Sequence, residues 1–268
     1  MKALHVFITS LYHTFFSGKR FADDSLYPDG LYLDDMKILE VKNLNVAFNG
    51  TKVVENLNFE VDEDDNFAII GPNGSGKTVL FRSLLGTVPY AGEIKWAKDI
   101  KIGYVPQKFD MDKSLPLTLE EFLKTKMDIV GSKTSIKEIL SLVGLHQPDL
   151  KRSLGKLSGG QFQRALIAFA LIGNPSVLLF DEPTASIDEA SEEQIYETIH
   201  RLQDVKKMAV LIISHDLDIV NRYATKVLCL NRRQVCLGIP EDIMKSKNLM
   251  ELFGASKKYY HHIHGEHN

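Results

Sequence analysis

The stretch FAIIGPNGSGKT, residues Phe67–Thr78, joins an apolar run to a glycine-rich segment that ends in lysine and threonine. The run from Phe67 to Ile70 has no polar residue, which is typical of a strand that is buried on both faces of a parallel sheet. The segment Gly71–Thr78 fits the pattern G-x-x-x-x-G-K-S/T, and its place between a strand and a helix makes that pattern specific. We therefore predict a strand, a phosphate-binding loop and a helix from Lys77 to Leu85.

The residue types of this loop predict its chemistry. Glycines allow consecutive backbone N–H groups to surround phosphate oxygens, and the helix N-terminus adds the positive end of its dipole. Lys77 is expected to reach the β- and γ-phosphates of a nucleotide, and the Thr78 hydroxyl is expected to ligate Mg²⁺. The predicted nucleotide-binding positions are Gly71, Pro72, Asn73, Gly74, Ser75, Gly76, Lys77, Thr78 and Val79.

The rest of the chain alternates between strand and helix patterns. Residues 36–61 hold short apolar alternations around Asn49–Gly50, which predicts an antiparallel hairpin. Residues 118–154 contain only helical signals and begin with the capping box TLEE. The runs SVLLF (176–180) and MAVLII (208–213) are each followed by a predicted helix, as in βαβ units. We predict an α/β fold with a parallel sheet, an antiparallel β subdomain and a helical insertion.

Two carboxylates follow the run SVLLF. Asp181 would lie at the carboxyl end of a parallel strand, where α/β proteins bind ligands, and it can present a carboxylate to Mg²⁺. Glu182 would point toward the γ-phosphate, so it is the candidate general base that polarises the attacking water. The pair is weak evidence alone, but the glycine-rich loop earlier in the chain makes it more specific.

Three further motifs follow in a characteristic order. Gln107 comes after a predicted strand in GYVPQ, the segment LSGGQ (157–161) opens a predicted helix, and His215 follows MAVLII. Together with the glycine-rich loop and the two carboxylates, this order resembles the nucleotide-binding subunits of ABC transporters over roughly residues 36–240. The resemblance implies a P-loop NTPase domain with a RecA-like sheet, a helical subdomain at about 109–165 that carries LSGGQ, and ATP and Mg²⁺ as cofactors.

The resemblance also implies a role for each matching residue. Phe48 would stack on adenine, and Gln107 would contact Mg²⁺ and face a membrane partner. His215 would hold the γ-phosphate and the attacking water, and Asp188 would couple the two sites of a dimer. A head-to-tail homodimer with two ATP molecules is expected, because LSGGQ acts on the nucleotide of the other subunit. The residues implied to contact that γ-phosphate are Ser158, Gly159, Gly160 and Gln161.

Two positions depart from the family pattern. Val79 stands where a second hydroxyl residue usually contacts the α-phosphate, and loss of that donor would weaken nucleotide binding by about 1 kcal/mol. Phe169 replaces a usual arginine. Neither change touches a group that is expected to perform the chemistry, so hydrolysis is still expected.

Composition and cysteine content restrict the possible partners. The formal net charge of -3 provides no basic field, so no nucleic-acid partner is expected. No apolar run reaches the roughly 18–20 residues that span a bilayer, so a membrane role would require a partner protein. A two-residue turn at Arg232–Arg233 would place Cys229 opposite Cys236 across a hairpin. We expect two reduced, apolar side chains there rather than a disulfide.

The resemblance is most specific to one class of importer. Residues 102–123 and 227–243 are similar to the ATPases of bacterial high-affinity zinc-uptake systems. The alternatives are the related manganese or iron branch, and a soluble ABC ATPase outside transport. The expected partners are a second ATPase subunit, membrane permease subunits and, through the permease, an extracytoplasmic metal-binding protein. Such a subunit would lie at the cytoplasmic face of the cell membrane.

The two ends of the chain lie outside the ATPase domain, which we place at residues 36–245. Residues 1–35 lack periodicity and are interpreted as a dispensable, disordered or non-native extension. The alternative is an amphipathic helix at Ala3–Phe16 that contacts a membrane. Residues 246–268 form a histidine-rich tail, which is either a frayed terminus or a Zn²⁺ site of modest affinity. Its candidate ligands are His261, His262, His264 and His267.

Overall fold

The computed structural model describes residues 37–109, 115–183, 189–245, 249 and 252–253. Its first element is the predicted hairpin, in which β1 (Lys37–Phe48) pairs antiparallel with β2 (Thr51–Asp62). The turn residues Asn49 and Gly50 both have positive φ, as a tight hairpin turn requires. The strand β4 (Ala91–Trp96) pairs with the other edge of β1 and completes a three-stranded antiparallel sheet. The prediction of an antiparallel β subdomain is therefore confirmed.

A six-stranded sheet forms the centre of the molecule. Its strand order is β5-β6-β7-β3-β8-β9, and all neighbours are parallel except β9, which runs antiparallel to β8. The carboxyl ends of β6, β7 and β3 therefore lie side by side, which is where ligands bind in such sheets. The strands are β3 (Asn66–Ile70), β5 (Ile102–Val105), β6 (Val177–Asp181), β7 (Ala209–Ile213), β8 (Lys226–Asn231) and β9 (Arg233–Gly238).

Helices connect the strands and form the predicted insertion. The N-terminus of α2 (Leu119–Val130) has the capping box predicted from TLEE, because the Thr118 and Glu121 side chains cap each other's backbone N–H groups. The helix after the glycine-rich loop ends one residue before the predicted Leu85. The helices in the described ranges are α1 (Lys77–Leu84), α2 (Leu119–Val130), α3 (Ile136–Leu142), α4 (Gly159–Leu171), α5 (Glu189–Lys206), α6 (Leu217–Tyr223) and α7 (Pro240–Lys245).

The six-stranded sheet is covered on both faces, as the apolar run at β3 predicted. Alternate side chains of β3 enter different hydrophobic clusters, because successive residues of a strand point to opposite faces. Phe67 and Ile69 pack with α1 and the antiparallel sheet, whereas Ala68 and Ile70 pack with the helical insertion. The Phe59 and Phe67 rings stack with centroids 5.2 Å apart and join the two sheets.

The hairpin of β8 and β9 corrects two details of the sequence interpretation. Cys229 does lie opposite Cys236, but the two residues form a disulfide, so the expectation of reduced side chains was wrong. Their Cα atoms are 4.9 Å apart, which is within the range that a disulfide spans. The turn is also tighter than predicted: Arg232 alone has positive φ, and Arg233 already pairs with Asn231.

Within the ranges that the structure describes, none of the helices is both long enough and apolar enough to cross a membrane. Four of the sequence predictions concern residues outside those ranges. They are the extension at 1–35, the amphipathic helix proposed within it, the coupling residue Asp188, and the tail with His261, His262, His264 and His267.

Candidate functional site

The loop Gly71–Thr78 leads from β3 into α1, and its shape is fixed by close backbone contacts. Gly76 has φ of 103°, and a Cβ there would lie 2.8 Å from the Val53 carbonyl oxygen. A Cβ on Gly71 would overlap the Leu230 carbonyl oxygen. The Arg232 N–H donates a hydrogen bond of 2.8 Å to the Ser75 carbonyl oxygen, which ties the loop to the β8–β9 turn. Glycine is therefore required at these positions by space as well as by conformation.

Lys77 is buried at the start of α1 and is held by the loop itself. Its Nζ donates hydrogen bonds to the carbonyl oxygens of Gly71 (2.9 Å) and Pro72 (3.2 Å). The same nitrogen lies 3.7 Å from Glu182 Oε1. Burial lowers the pKa of the Lys77 ammonium group, although the carboxylates of Glu182 and Asp181 oppose that shift. A buried cation beside backbone N–H groups is suited to phosphate oxygens.

Asp181 ends β6 and is almost completely buried. Its Oδ1 accepts a hydrogen bond of 3.2 Å from the Thr78 hydroxyl, and its Oδ2 accepts one of the same length from the Tyr104 hydroxyl. Burial raises the pKa of the Asp181 carboxyl group, whereas these two hydrogen bonds act to lower it. The structure therefore brings together Thr78 and Asp181, two of the residues predicted to ligate Mg²⁺, from distant parts of the chain.

Glu182 follows in an unusual backbone conformation, with φ of 48°. Its N–H donates to the Ile213 carbonyl oxygen of β7 at 3.1 Å, which holds the turn in place. The Gln107 side-chain amide donates a hydrogen bond to Glu182 Oε2, while Oε1 faces Lys77. A left-handed conformation at a residue other than glycine costs of order 1–3 kcal/mol, and such residues cluster at functional sites.

Lys77, Thr78, Gln107 and Glu182 line an open cleft of about 360 Å³ at the carboxyl ends of β3 and β6. Eight of the predicted site residues line it, together with Val53 of β2, which the sequence analysis missed. Tyr104 was also missed, although it lies close to Gln107 in the same motif GYVPQ. The lining residues are Val53, Asn73, Gly74, Gly76, Lys77, Thr78, Val79, Gln107 and Glu182.

The donor set of the cleft fits Mg²⁺ and a nucleotide phosphate chain. Mg²⁺ prefers oxygen ligands and is usually held by one or two carboxylates together with substrate phosphates. The Thr78 hydroxyl and the Asp181 carboxylate, 3.2 Å apart, provide such oxygens, and Lys77 provides the opposing positive charge for phosphate. In the described ranges there is no separate cluster of three or more potential metal ligands.

Gly71, Pro72, Ser75 and Asp181 lie in the loop or at the end of β6 without lining the cleft, and three further groups of predicted site residues do not line it either. Phe48 is 40% exposed at the end of β1, and His215 is exposed just beyond β7. The LSGGQ residues form the N-terminus of α4, where Ser158 and Gln161 make a reciprocal capping box. Arg152 holds Gln161 through a hydrogen bond of 3.0 Å to its Oε1. Phe169, the second departure from the pattern, stacks on Phe122 in the helical insertion with ring centroids 4.3 Å apart.

Comparison with known proteins gives a consistent assignment. Residues 54–185 match the family model described as ABC transporter. The zinc import ATP-binding protein ZnuC of Pasteurella multocida is 37% identical, over 86% of this chain and 91% of that protein. The protein of the same name from Ruegeria sp. is 38% identical, over 82% of this chain and 88% of that protein.

Solved structures agree with the sequence comparisons. A metal-chelate type ABC transporter in an inward-facing conformation superimposes with a TM-score of 0.72 at 29% identity, covering 81% of this chain and 88% of that chain. An ATP-binding cassette of an ABC transporter, solved in its ADP conformation, gives a TM-score of 0.71 at 25% identity, covering 81% of this chain and 98% of that chain. The chain belongs to the ATP-binding proteins of the ABC transporter family.

Proposed function

We propose that this protein hydrolyses ATP to energise the import of zinc through separate membrane subunits. The observation that carries the ATPase part is the cleft lined by Lys77, Thr78 and Glu182, with Asp181 hydrogen-bonded to Thr78. The zinc part is supported by the relatives named above. They are zinc import ATP-binding proteins, and the match to this chain covers most of their length.

Each of these side chains would have its own role in ATP hydrolysis. Lys77, already in the loop, would exchange its contacts with the Gly71 and Pro72 carbonyl oxygens for phosphate oxygens. Thr78 and Asp181 would hold Mg²⁺, which supplies charge neutralisation at the β- and γ-phosphates when it is bound. Glu182 would accept the proton of the attacking water, and its carboxylate already faces the cleft between Lys77 and Gln107.

A second ATPase subunit is part of this proposal. The residues Ser158–Gln161 are capped at the start of α4 and do not line the cleft of their own chain. A head-to-tail homodimer would bring them to the γ-phosphate bound by the partner, with His215 and Asp188 of each chain at the shared interface. Permease subunits in the membrane would contact the region around Gln107, and an extracytoplasmic metal-binding protein would deliver the ion to them. The ATPase would then lie at the cytoplasmic face of the membrane.

Metal uptake by cells that express the chain tests the transport proposal. Cells would carry the chain with its permease subunits, and uptake of zinc, manganese and iron would be measured separately. Zinc uptake that is lost in the Glu182→Gln variant, with manganese and iron unaffected, is the expected result. Manganese or iron uptake that depends on Glu182 would instead favour the related branch of importers. If the chain hydrolyses ATP but the uptake of none of the three metals depends on that hydrolysis, the result would favour a soluble ABC ATPase.

The histidine-rich tail extends the proposal to the ion itself. Neutral imidazole is a good Zn²⁺ ligand, and four histidines lie within seven residues, so two or three could share one ion. Several histidines must be fixed in one geometry around the ion, so the affinity should be modest. We propose that the tail binds zinc and tunes transport when the internal zinc concentration rises.

A further inference from the structure

Tyr104 lies beneath the proposed Mg²⁺ site and belongs to β5, the edge strand beside β6. Its side chain is 5% exposed and lies on the sheet face that packs against α1. There its ring makes an edge-to-face contact with Phe81 of α1, with centroids 6.5 Å apart. The ring therefore has an ordinary packing role, and only the hydroxyl group remains to be explained.

The Tyr104 hydroxyl donates a hydrogen bond of 3.2 Å to Asp181 Oδ2. A tyrosine hydroxyl carries its proton at neutral pH, and a carboxylate oxygen can only accept, so the hydroxyl is the donor in this contact. Thr78, another predicted Mg²⁺ ligand, contacts the opposite oxygen, Oδ1. The two carboxylate oxygens of Asp181 therefore have different partners: Oδ2 accepts from Tyr104 of β5, and Oδ1 accepts from Thr78 at the start of α1.

We propose that Tyr104 is a positioning residue that fixes the Asp181 carboxylate for the divalent cation that accompanies the nucleotide. This inference rests on the proposed ATPase function. A carboxylate at the end of a strand can rotate about its terminal bond, because that torsion is broad. The hydrogen bond to Oδ2 restricts this rotation and leaves Oδ1 directed toward Thr78. Groups that orient metal ligands in this way typically change metal affinity by about 10–100-fold when they are removed.

The Tyr104→Phe variant tests the proposal, because it removes the hydroxyl and keeps the ring that packs on Phe81. Thr198→Val is the matched control. Thr198 is a buried residue of α5 whose hydroxyl bonds the Gln194 carbonyl oxygen at 2.8 Å, with no link to Asp181. Both variants lose one buried hydroxyl group, so a general loss of stability should be similar in the two proteins.

The measurement separates nucleotide binding from metal binding. Affinity for a fluorescent ATP analogue is first determined in EDTA, and Mg²⁺ is then titrated into the protein loaded with that analogue. We expect Tyr104→Phe to raise the Mg²⁺ concentration at half-saturation about tenfold, at the lower end of the range for such positioning groups. Its affinity for the analogue in EDTA should equal that of the unsubstituted protein. Thr198→Val should match the unsubstituted protein in both measurements.

Two results would overturn the proposal. An unchanged Mg²⁺ requirement in Tyr104→Phe would mean that the hydroxyl does not orient Asp181 for the metal. A weaker affinity in EDTA, with no further effect of Mg²⁺, would mean that Tyr104 only supports the packing of α1 and its loop. Failure of the unsubstituted protein to bind the analogue under either condition would refute the proposed ATPase function, and this inference with it.

Discussion

Replacing Gly76 by alanine tests how closely the shape of the glycine-rich loop determines nucleotide binding. Gly76 precedes α1 with φ of 103°, and an added Cβ would lie 2.8 Å from the Val53 carbonyl oxygen and 3.2 Å from a methyl group of Val54. Ordinary contacts between carbon and carbonyl oxygen are about 3.3–3.6 Å, so either the loop or β2 must move.

The expected loss of stability in Gly76→Ala has two parts. Alanine in a left-handed conformation costs about 1–2 kcal/mol, and overpacking against a fixed neighbour typically adds about 1–3 kcal/mol. The free energy of unfolding should therefore fall by about 2–5 kcal/mol. For a domain of this size that corresponds to a drop in Tm of about 4–20 °C.

Gly86→Ala provides the matched control. Gly86 also has positive φ, 65°, but a Cβ there would meet no atom within 4 Å. It follows α1 and takes no part in the cleft, so only the conformational cost of about 1–2 kcal/mol applies. The difference in the free energy of unfolding between the two variants measures the steric part of the loss, which is about 1–3 kcal/mol.

Thermal unfolding and ATP titration of both variants complete the test. Gly76→Ala should weaken ATP binding by at least about tenfold, equivalent to about 1.4 kcal/mol, because the loop N–H groups are displaced. Gly86→Ala should bind ATP like the unsubstituted protein. Equal losses of Tm in the two variants, or normal ATP affinity in Gly76→Ala, would refute the reasoning that the contact with Val53 fixes the loop.

Four further predictions concern the chemistry and the chain ends. Glu182→Gln should retain ATP binding, favour a closed dimer and lower steady-state turnover by about 10²–10⁴-fold, and near-normal turnover would remove Glu182 from the role of base. Lys77→Ala should impair ATP binding and hydrolysis together, so retained ATP affinity would contradict the role of Lys77. Deletion of residues 1–35 should leave zinc uptake unchanged, whereas lost uptake with intact ATPase activity would favour the membrane-contacting helix. A chain ending at Lys258 should take up less zinc in calorimetric titration than the full chain, with the difference vanishing as pH falls below about 6.5. Identical zinc uptake by the two chains would show that the tail does not bind the metal.

Local patterns in the sequence were sufficient to predict most of the architecture. The apolar run at β3, the turn at Asn49–Gly50 and the capping box at Thr118 each depend on residues close in sequence, and each was confirmed by the structure. The glycine-rich loop was found from an equally local pattern of eight residues, although contacts with Val53 and Leu230 fix its shape. Predictions of this kind succeed when one short segment carries both the signal and the structure.

The sequence did not predict every contact between distant side chains. The Tyr104 hydroxyl reaches Asp181 across 77 residues, and Gln107 reaches Glu182 across 75. Both contacts exist because β5 and β6 are parallel neighbours in the sheet, a pairing that no local pattern specifies. Cys229 and Cys236 show a different limit: the hairpin predicted that they face each other, but no sequence pattern decides whether two facing cysteines are bonded. The sequence by itself determined the elements and the motif predicted to bind phosphate, while strand order and packing decided how the carboxylates of the site are held.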